Sequence, residues 1–189
     1  MKEFYDAEQL MELEEGWWFY DHAWSLLHLI IKNVKGSSVL DVGCGSGMAL
    51  SVIKAINPQR ECKGIEPTND LLDIWNLRNL NVVNGSATDI PFENDHFDMV
   101  FSSHVLEHID DDFSAVKEIF RVTKKRALII VPAGNCDDKN MGTPHLRYYN
   151  RVNFKTLIEN AAATAKCDID FQYHSHHLIN SLIAIIDFK

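Results

Sequence analysis

The chain has 189 residues, 46% apolar and 24% charged, which is enough material for one globular domain that needs no disulfide staples. Lys and Arg number 18 against 27 Asp and Glu, a net charge of −9 that argues against tight nucleic-acid binding and gives no attraction to an acidic membrane surface. The four cysteines (Cys44, Cys62, Cys136, Cys167) form no C-x-x-C pair, no stretch approaches the ~18 apolar residues of a membrane span, and the acidic N-terminus has the wrong sign for a signal peptide. A reducing, cytoplasmic setting is expected.

Tyr20, Ala23, Trp24, Leu27, Ile30, Ile31 and Val34 recur at helical spacing, so 17–34 is predicted as an amphipathic helix, stopped by Gly36. A short buried strand follows at 38–42, then a helix marked by Met48, Ala49, Val52, Ile53 and Ile56 and ended by Asn57-Pro58. A strand at 61–66, a short helix near 70–78 and a third strand at 81–83 come next. Phe97–Phe101 is the fourth strand, and Asp110, Asp111 and Asp112 begin the next helix, where carboxylates favour unpaired N–H groups. Lys124-Lys125-Arg126, the only basic cluster, is expected to be the solvated approach to a fifth strand at 127–131, stopped by Pro132. A loop at 132–149 leads to a last helix marked by Phe154, Leu157, Ile158 and Ala161, and 167–174 and 181–188 are predicted to close as a hairpin. Alternating strands and helices mean a parallel sheet covered on both faces, while a hairpin can only be antiparallel. The expected fold is a doubly wound α/β sheet of seven strands, mostly parallel, with an antiparallel C-terminal edge hairpin. Residues 1–35 would form a helical cap and 36–189 the core of a single domain.

The most informative segment is Val39-Leu40-Asp41-Val42-Gly43-Cys44-Gly45-Ser46-Gly47, a buried strand running through three alternate glycines into a helix. Such glycines let backbone approach a ligand closely. The dinucleotide fingerprint G-x-G-x-x-G fails because Met48 holds the third glycine position. Asp41, just before the glycines, suits a ligand carrying an ammonium rather than a pyrophosphate. Glu66 ends the second strand, where a carboxylate can accept two hydrogen bonds from a ribose diol. Ribose plus ammonium, without phosphate, describes S-adenosylmethionine.

With VLDVGCGSG at 39–47, GIEP at 64–67 and NGSATDIPFENDHFDMVFSSHVLEHI at 84–109, the sequence resembles the class I S-adenosylmethionine-dependent methyltransferases. The resemblance implies the Rossmann-like form of the sheet, S-adenosyl-L-methionine as methyl donor and S-adenosyl-L-homocysteine as product. It implies that Gly43, Cys44, Gly45 and Gly47 line the methionine portion with Asp41 near its amino group. Glu66 would hold the ribose hydroxyls and Pro67 pack on adenine. Ser86 and Ala87 would flank the adenine edge and Ser103 approach the methionine end. Many relatives carry Asp at the position of Ser86; here Asp89 or a backbone carbonyl would substitute.

His104, Glu107 and His108 follow Ser103, and at i, i+3 and i+4 they are expected to share one face of a helical turn. That constellation could hold a base, or a divalent metal acidifying a hydroxyl acceptor. Some quinone-biosynthesis O-methyltransferases look similar here but carry a carboxylate at the position of His104, which weakens a magnesium site, and no metal ligand is assigned. In the 132–149 loop, Thr143, His145, Arg147, Tyr148 and Tyr149 could contact an acceptor, or the tyrosines could staple the next helix. His104, His108 and His145 are the candidate catalytic residues. Trp17-Trp18-Phe19-Tyr20 could lid the site or merely anchor a helix. His174, His176 and His177 resemble a metal cluster by type, but strand alternation splits them between two faces. The expected function is methyl transfer to a small-molecule acceptor, with no nucleic-acid or membrane partner and an open oligomeric state. The rivals are an NAD(P)-dependent oxidoreductase and a non-catalytic S-adenosylmethionine-binding regulatory subunit.

Overall fold

The computed structural model describes residues 24–134, 145–165 and 180–189, together with the backbone of 169–176. In chain order its elements are α1 (Trp24–Asn33), β1 (Ser38–Val42), α2 (Met48–Ile56), β2 (Glu61–Glu66), α3 (Leu72–Leu77), β3 (Asn81–Asn84) and β4 (Phe97–Ser103). A single 3-10 turn (Leu106–His108) then precedes α4 (Asp112–Val122), β5 (Thr123–Pro132), α5 (Arg151–Ala165), β6 (Ile169–His176) and β7 (Ser181–Phe188). The sheet has seven strands in the order β3-β2-β1-β4-β5-β7-β6. The first five pair in parallel, while β7 is antiparallel to both β5 and β6. This is the doubly wound α/β sheet with an antiparallel edge hairpin that the alternation implied.

Period-two alternation within each central strand divides the core into two layers. Val39, Met99, Phe101, Leu128, Ile130, Ile183 and Ile185 point to one face, where Ile30 of α1 and Ile53 of α2 cover them. Leu40, Val42, Val100, Ala127, Ile129, Val131, Leu182, Ala184 and Ile186 point to the other. There they meet Val116, Ile119 and Phe120 of α4 and Phe154 and Ile158 of α5. The helices on that face begin at side-chain caps. Asp111 accepts from Ser114 N–H at 2.9 Å, and Asn150 and Asn153 exchange backbone-to-side-chain bonds at 2.8 and 3.0 Å in the manner of a capping box.

Some boundaries differ from the sequence reading. The fifth strand starts at Thr123 rather than Ala127 and includes Pro132, because its first residues pair with Phe97 and Met99 and its last with Ser181. Arg126 is not simply solvated: its guanidinium forks onto Asp187 of β7 at 2.9 and 2.6 Å, and Lys35 reaches the same carboxylate at 2.7 Å. The third strand runs one residue further, to Asn84, and the short helix covers only 72–77. Of the N-terminal helix, 24–33 is described; Trp17, Trp18, Phe19 and Tyr20 lie outside the described residues, as do Cys136, Thr143, Cys167, His177 and the side chains of His174 and His176.

Two cations hold the Asp187 carboxyl well below the usual range, at about 2, with the Arg126 hydrogen bonds the largest cause. A depressed carboxyl stabilises the fold above its ordinary pKa near 4 and loses that contribution as pH falls toward 2. Asp187→Asn is expected to lower stability by about 1–2 kcal/mol at neutral pH. The gap to wild type should close below pH 4, as read by chemical denaturation across pH; a constant gap would contradict the assignment.

Candidate active site

The chain winds β1, β2, β3 outward on one side and then returns to β4 on the other, so a topological switch lies between β1 and β4. Ligands of such sheets bind at the strand C-termini beside that crevice. The glycine loop opens there. Gly43 and Cys44 donate their N–H groups to Ile65 C=O at 2.8 and 3.0 Å, and Gly47 N–H returns to Cys44 C=O at 2.8 Å, so the turn is built across from β2. Gly43, Gly45 and Gly47 all have φ between 50° and 77°, the left-handed region that glycine enters without penalty.

The space around these glycines differs. A Cβ on Gly43 would lie 2.4 Å from Val105 Cγ2, so this glycine lets the turn after β4 sit directly on the loop. A Cβ on Gly45 would meet nothing within 4 Å. Glu66, at the end of β2, accepts Gly45 N–H on Oε2 at 2.9 Å. Asp41 lies within β1, 4% exposed. Burial raises both carboxyls. The charge of Glu66 pushes Asp41 up further, whereas backbone N–H groups of Gly45 and Thr68 partly offset the rise at Glu66. Among the described residues no Lys, Arg or His pairs with either carboxylate.

From outside, α3 and the residue after it clamp the loop. Trp75 Nε1 donates to Gly45 C=O at 2.8 Å, and Arg78 donates to Ser46 C=O and Oγ at 2.8 and 2.9 Å. Periodicity presents Trp75 only as a buried helix residue, and nothing in the sequence marks Arg78. Cys44 turns its thiol onto Gly64, where a Cβ would lie 2.6 Å from Sγ. Burial, reinforced by Asp41 and Glu66, pushes that thiol far up. Further along the same edge, Asn84 Nδ2 donates to Pro67 C=O at 2.9 Å, and Ser86 bridges to Asp89 with Ala87 buried between them.

The turn after β4 departs from the sequence expectation. His104, Glu107 and His108 do not share a helical face: His104 has φ 57°, is left-handed, and precedes the 3-10 turn of Leu106–His108. Its N–H donates to Ile130 C=O at 2.9 Å, which holds the kink against β5. The side chains nevertheless meet, because Glu107 folds inward between the histidines. His104 Nδ1 and His108 Nε2 lie 3.7 and 3.8 Å from Glu107 Oε1, and His104 Nε2 hydrogen-bonds Ser181 Oγ at 3.2 Å. Glu107 is fully buried, and burial pushes its carboxyl up to about 8. His145 comes in from the segment before α5, its ring 5.0 Å from that of His108, and burial lowers its pKa. The three candidate histidines therefore gather around one acid that the sequence sets in the same turn.

Other loop residues serve packing. Tyr149 is buried, donates to Asp112 at 2.8 Å and meets Phe154 edge-on, so it staples α5 to α4. Arg147 pairs with Asp112 and donates to Asp110 C=O.

Residues 40–131 match the family model of a methyltransferase domain. The doubly wound sheet around this match is also the fold of solved S-adenosylmethionine-dependent methyltransferases. Over 102 residues the chain is 32% identical to the demethylmenaquinone methyltransferase of Staphylococcus aureus, covering 51% of this chain and 42% of that protein. The chain thus spans less than half the length of the curated relatives it matches. The fold is shared with an S-adenosylmethionine-dependent methyltransferase of Thermotoga maritima (TM-score 0.72, 17% identity, 95% of this chain and 96% of that one). It is shared equally with one of Aquifex aeolicus (TM-score 0.73, 17% identity, 97% and 98%). No helix among the described residues is long and apolar enough to cross a membrane.

Because Gly43 carries both a left-handed backbone and the Val105 contact, Gly43→Ala is expected to cost about 2–4 kcal/mol, the sum of the dihedral and overpacking penalties. Thermal unfolding checks this; a loss below about 1 kcal/mol would mean the turn is free to move off the loop.

Proposed function

We propose that this protein transfers a methyl group from S-adenosylmethionine to a small-molecule acceptor, with the donor held in the glycine loop. The observation that carries the reading is the open space at Gly45, on a loop that leaves the buried Asp41 strand and is held by the Glu66 carboxylate, with no protein cation on either acid among the described residues. A ligand with an ammonium and a ribose diol, and no phosphate, supplies what those two acids lack. A dinucleotide would instead bring negative charge to two acids.

When bound, the donor supplies a methyl carbon on a positively charged sulfur that leaves as a neutral thioether. In this reading Asp41 takes the ammonium, Glu66 the ribose hydroxyls, and the backbone of Gly43, Cys44, Gly45 and Gly47 forms the floor of the methionine pocket. Pro67, Ser86, Ala87 and Asp89 supply the adenine rim, and Ser103 leads to the reacting end. There alignment of acceptor, methyl and sulfur supplies much of the rate. The acceptor atom bonds the methyl carbon as the carbon–sulfur bond breaks, and any proton it carried passes to the group of His104, His108 and His145 around Glu107. The Staphylococcus aureus relatives are named for demethylmenaquinone, which makes that quinone the first acceptor to assay.

Thermal-shift titration separates the rivals. S-adenosylhomocysteine is expected to stabilise the protein, and stabilisation by NAD alone would overturn the reading in favour of an oxidoreductase. Gly45→Ala is expected to fold with a loss of about 1–2 kcal/mol from its left-handed backbone. Gly45→Val should fold as well but no longer respond to the nucleoside; undiminished stabilisation would remove the ligand from this loop. His104→Ala is expected to lower turnover about 10²–10⁴-fold with nucleoside affinity kept, measured as labelled methyl transfer. Unchanged turnover would take His104 out of the proton path, and a complete absence of transfer in wild type across acceptor panels would favour a binding subunit.

A further inference from the structure

Neither carboxylate oxygen of the fully buried Glu107 has a hydrogen-bond partner among the described residues. Nδ1 of His145, on a different segment of the chain, is likewise buried without one. Native interiors leave few polar atoms in that state, so orphaned groups converging from separate segments point to a partner they share. The convergence is built in: Leu146 N–H donates to Glu107 C=O at 2.9 Å, which registers the segment bearing His145 on the turn bearing Glu107 and His108. One ligating atom from each of Glu107, His108 and His145 lies within 4.8 Å of the other two.

We propose that Glu107, His108 and His145 form a site for one divalent transition-metal ion of the zinc or cobalt kind. Two imidazoles and one carboxylate are the donor set such ions take, whereas magnesium and calcium want oxygen throughout. A protonated Glu107 would settle its own charge but leave His145 Nδ1 orphaned, and a shared water would leave the buried carboxylate charge uncompensated. His104, 3.7 Å from the same carboxylate oxygen and bonded to Ser181, borders the site without being needed as a ligand. Three protein ligands leave a coordination position open. In a further step, which rests on the methyl-transfer reading, that position takes an acceptor hydroxyl: with His108 and His145 on the metal, its O–H proton passes to His104, and its oxygen bonds the methyl carbon as the carbon–sulfur bond breaks.

The test titrates the chelator-treated 189-residue chain with Co²⁺, and then Zn²⁺, with no methyl donor or acceptor present. The expected result is one equivalent of Co²⁺ with visible bands of nitrogen and oxygen ligation, hyperfine-shifted protons from two imidazoles, and displacement by Zn²⁺. Glu107→Gln and His145→Ala should each weaken Co²⁺ binding by at least the ~10–100-fold that loss of an outer-shell partner costs, while still binding S-adenosylhomocysteine. No bound Co²⁺, or equal affinity in wild type and His145→Ala, overturns the site. Should a variant not fold, the wild-type spectrum decides, and absence of the shifted imidazole protons overturns it equally. Failure of S-adenosylhomocysteine to bind while Co²⁺ binds normally would sink the methyl-transfer reading and leave the metal site standing.

Discussion

Two carboxyl groups, Asp41 buried and Glu66 half-buried, with no cation partner among the described residues, are the constraint around which the rest of the site is arranged. Burying an unpaired carboxylate opposes folding, and Asp41 and Glu66 sit close enough to raise each other's cost. Part of that cost is met locally, because Glu66 takes the Gly45 N–H and so holds the tip of the loop. The remainder is left for whatever occupies the crevice. A parallel sheet suits this arrangement: adjacent strands end side by side, which brings two acids distant in sequence to one edge without a dedicated loop.

The second group of titratable side chains depends on the first through a steric contact. Val105 can lie on the loop only because Gly43 has no side chain, and that seat fixes the reversal in which His104 turns left-handed and Glu107 turns inward. A left-handed non-glycine residue costs of order 1 kcal/mol and survives where its surroundings over-determine it. Here they are the N–H bond to Ile130 and the side-chain bond to Ser181, one from the strand paired with β4 and one from the strand beyond it. The antiparallel β7 thereby reaches from the sheet's far side into the site.

Much of this was legible in the residues alone. Hydrophobic alternation in Val39–Val42, Phe97–Phe101 and Leu182–Ile186 reads directly as strands buried on both faces, and the glycine run announces a loop that backbone must approach closely. The strand from Thr123 was harder, since Lys124, Lys125 and Arg126 look solvated until Asp187 arrives from 61 residues away to pair with Arg126. The turn at 104–108 departs from its sequence pattern for a physical reason. Spacing of i, i+3 and i+4 implies a shared face only within a continuous helix, and the conformation of His104 is imposed by tertiary bonds that no local pattern encodes. The same holds for Trp75 and Arg78, whose partners are backbone carbonyls of a loop some thirty residues earlier. His145 joins Glu107 through a backbone bond between loops, which leaves no mark in the sequence.

Cys44 occupies an awkward place for a protein proposed to handle an alkylating sulfonium. A thiolate in the donor's own binding loop would be the strongest nucleophile within reach and would consume the reagent by modifying itself. Two features remove that hazard. The sulfur is turned onto Gly64, a position that only a residue without a side chain could leave vacant, and burial, reinforced by the neighbouring acids, keeps its proton on. On the proposed reading Gly64 has a chemical as well as a packing purpose: by giving the sulfur somewhere to hide, it would protect the loop from the donor.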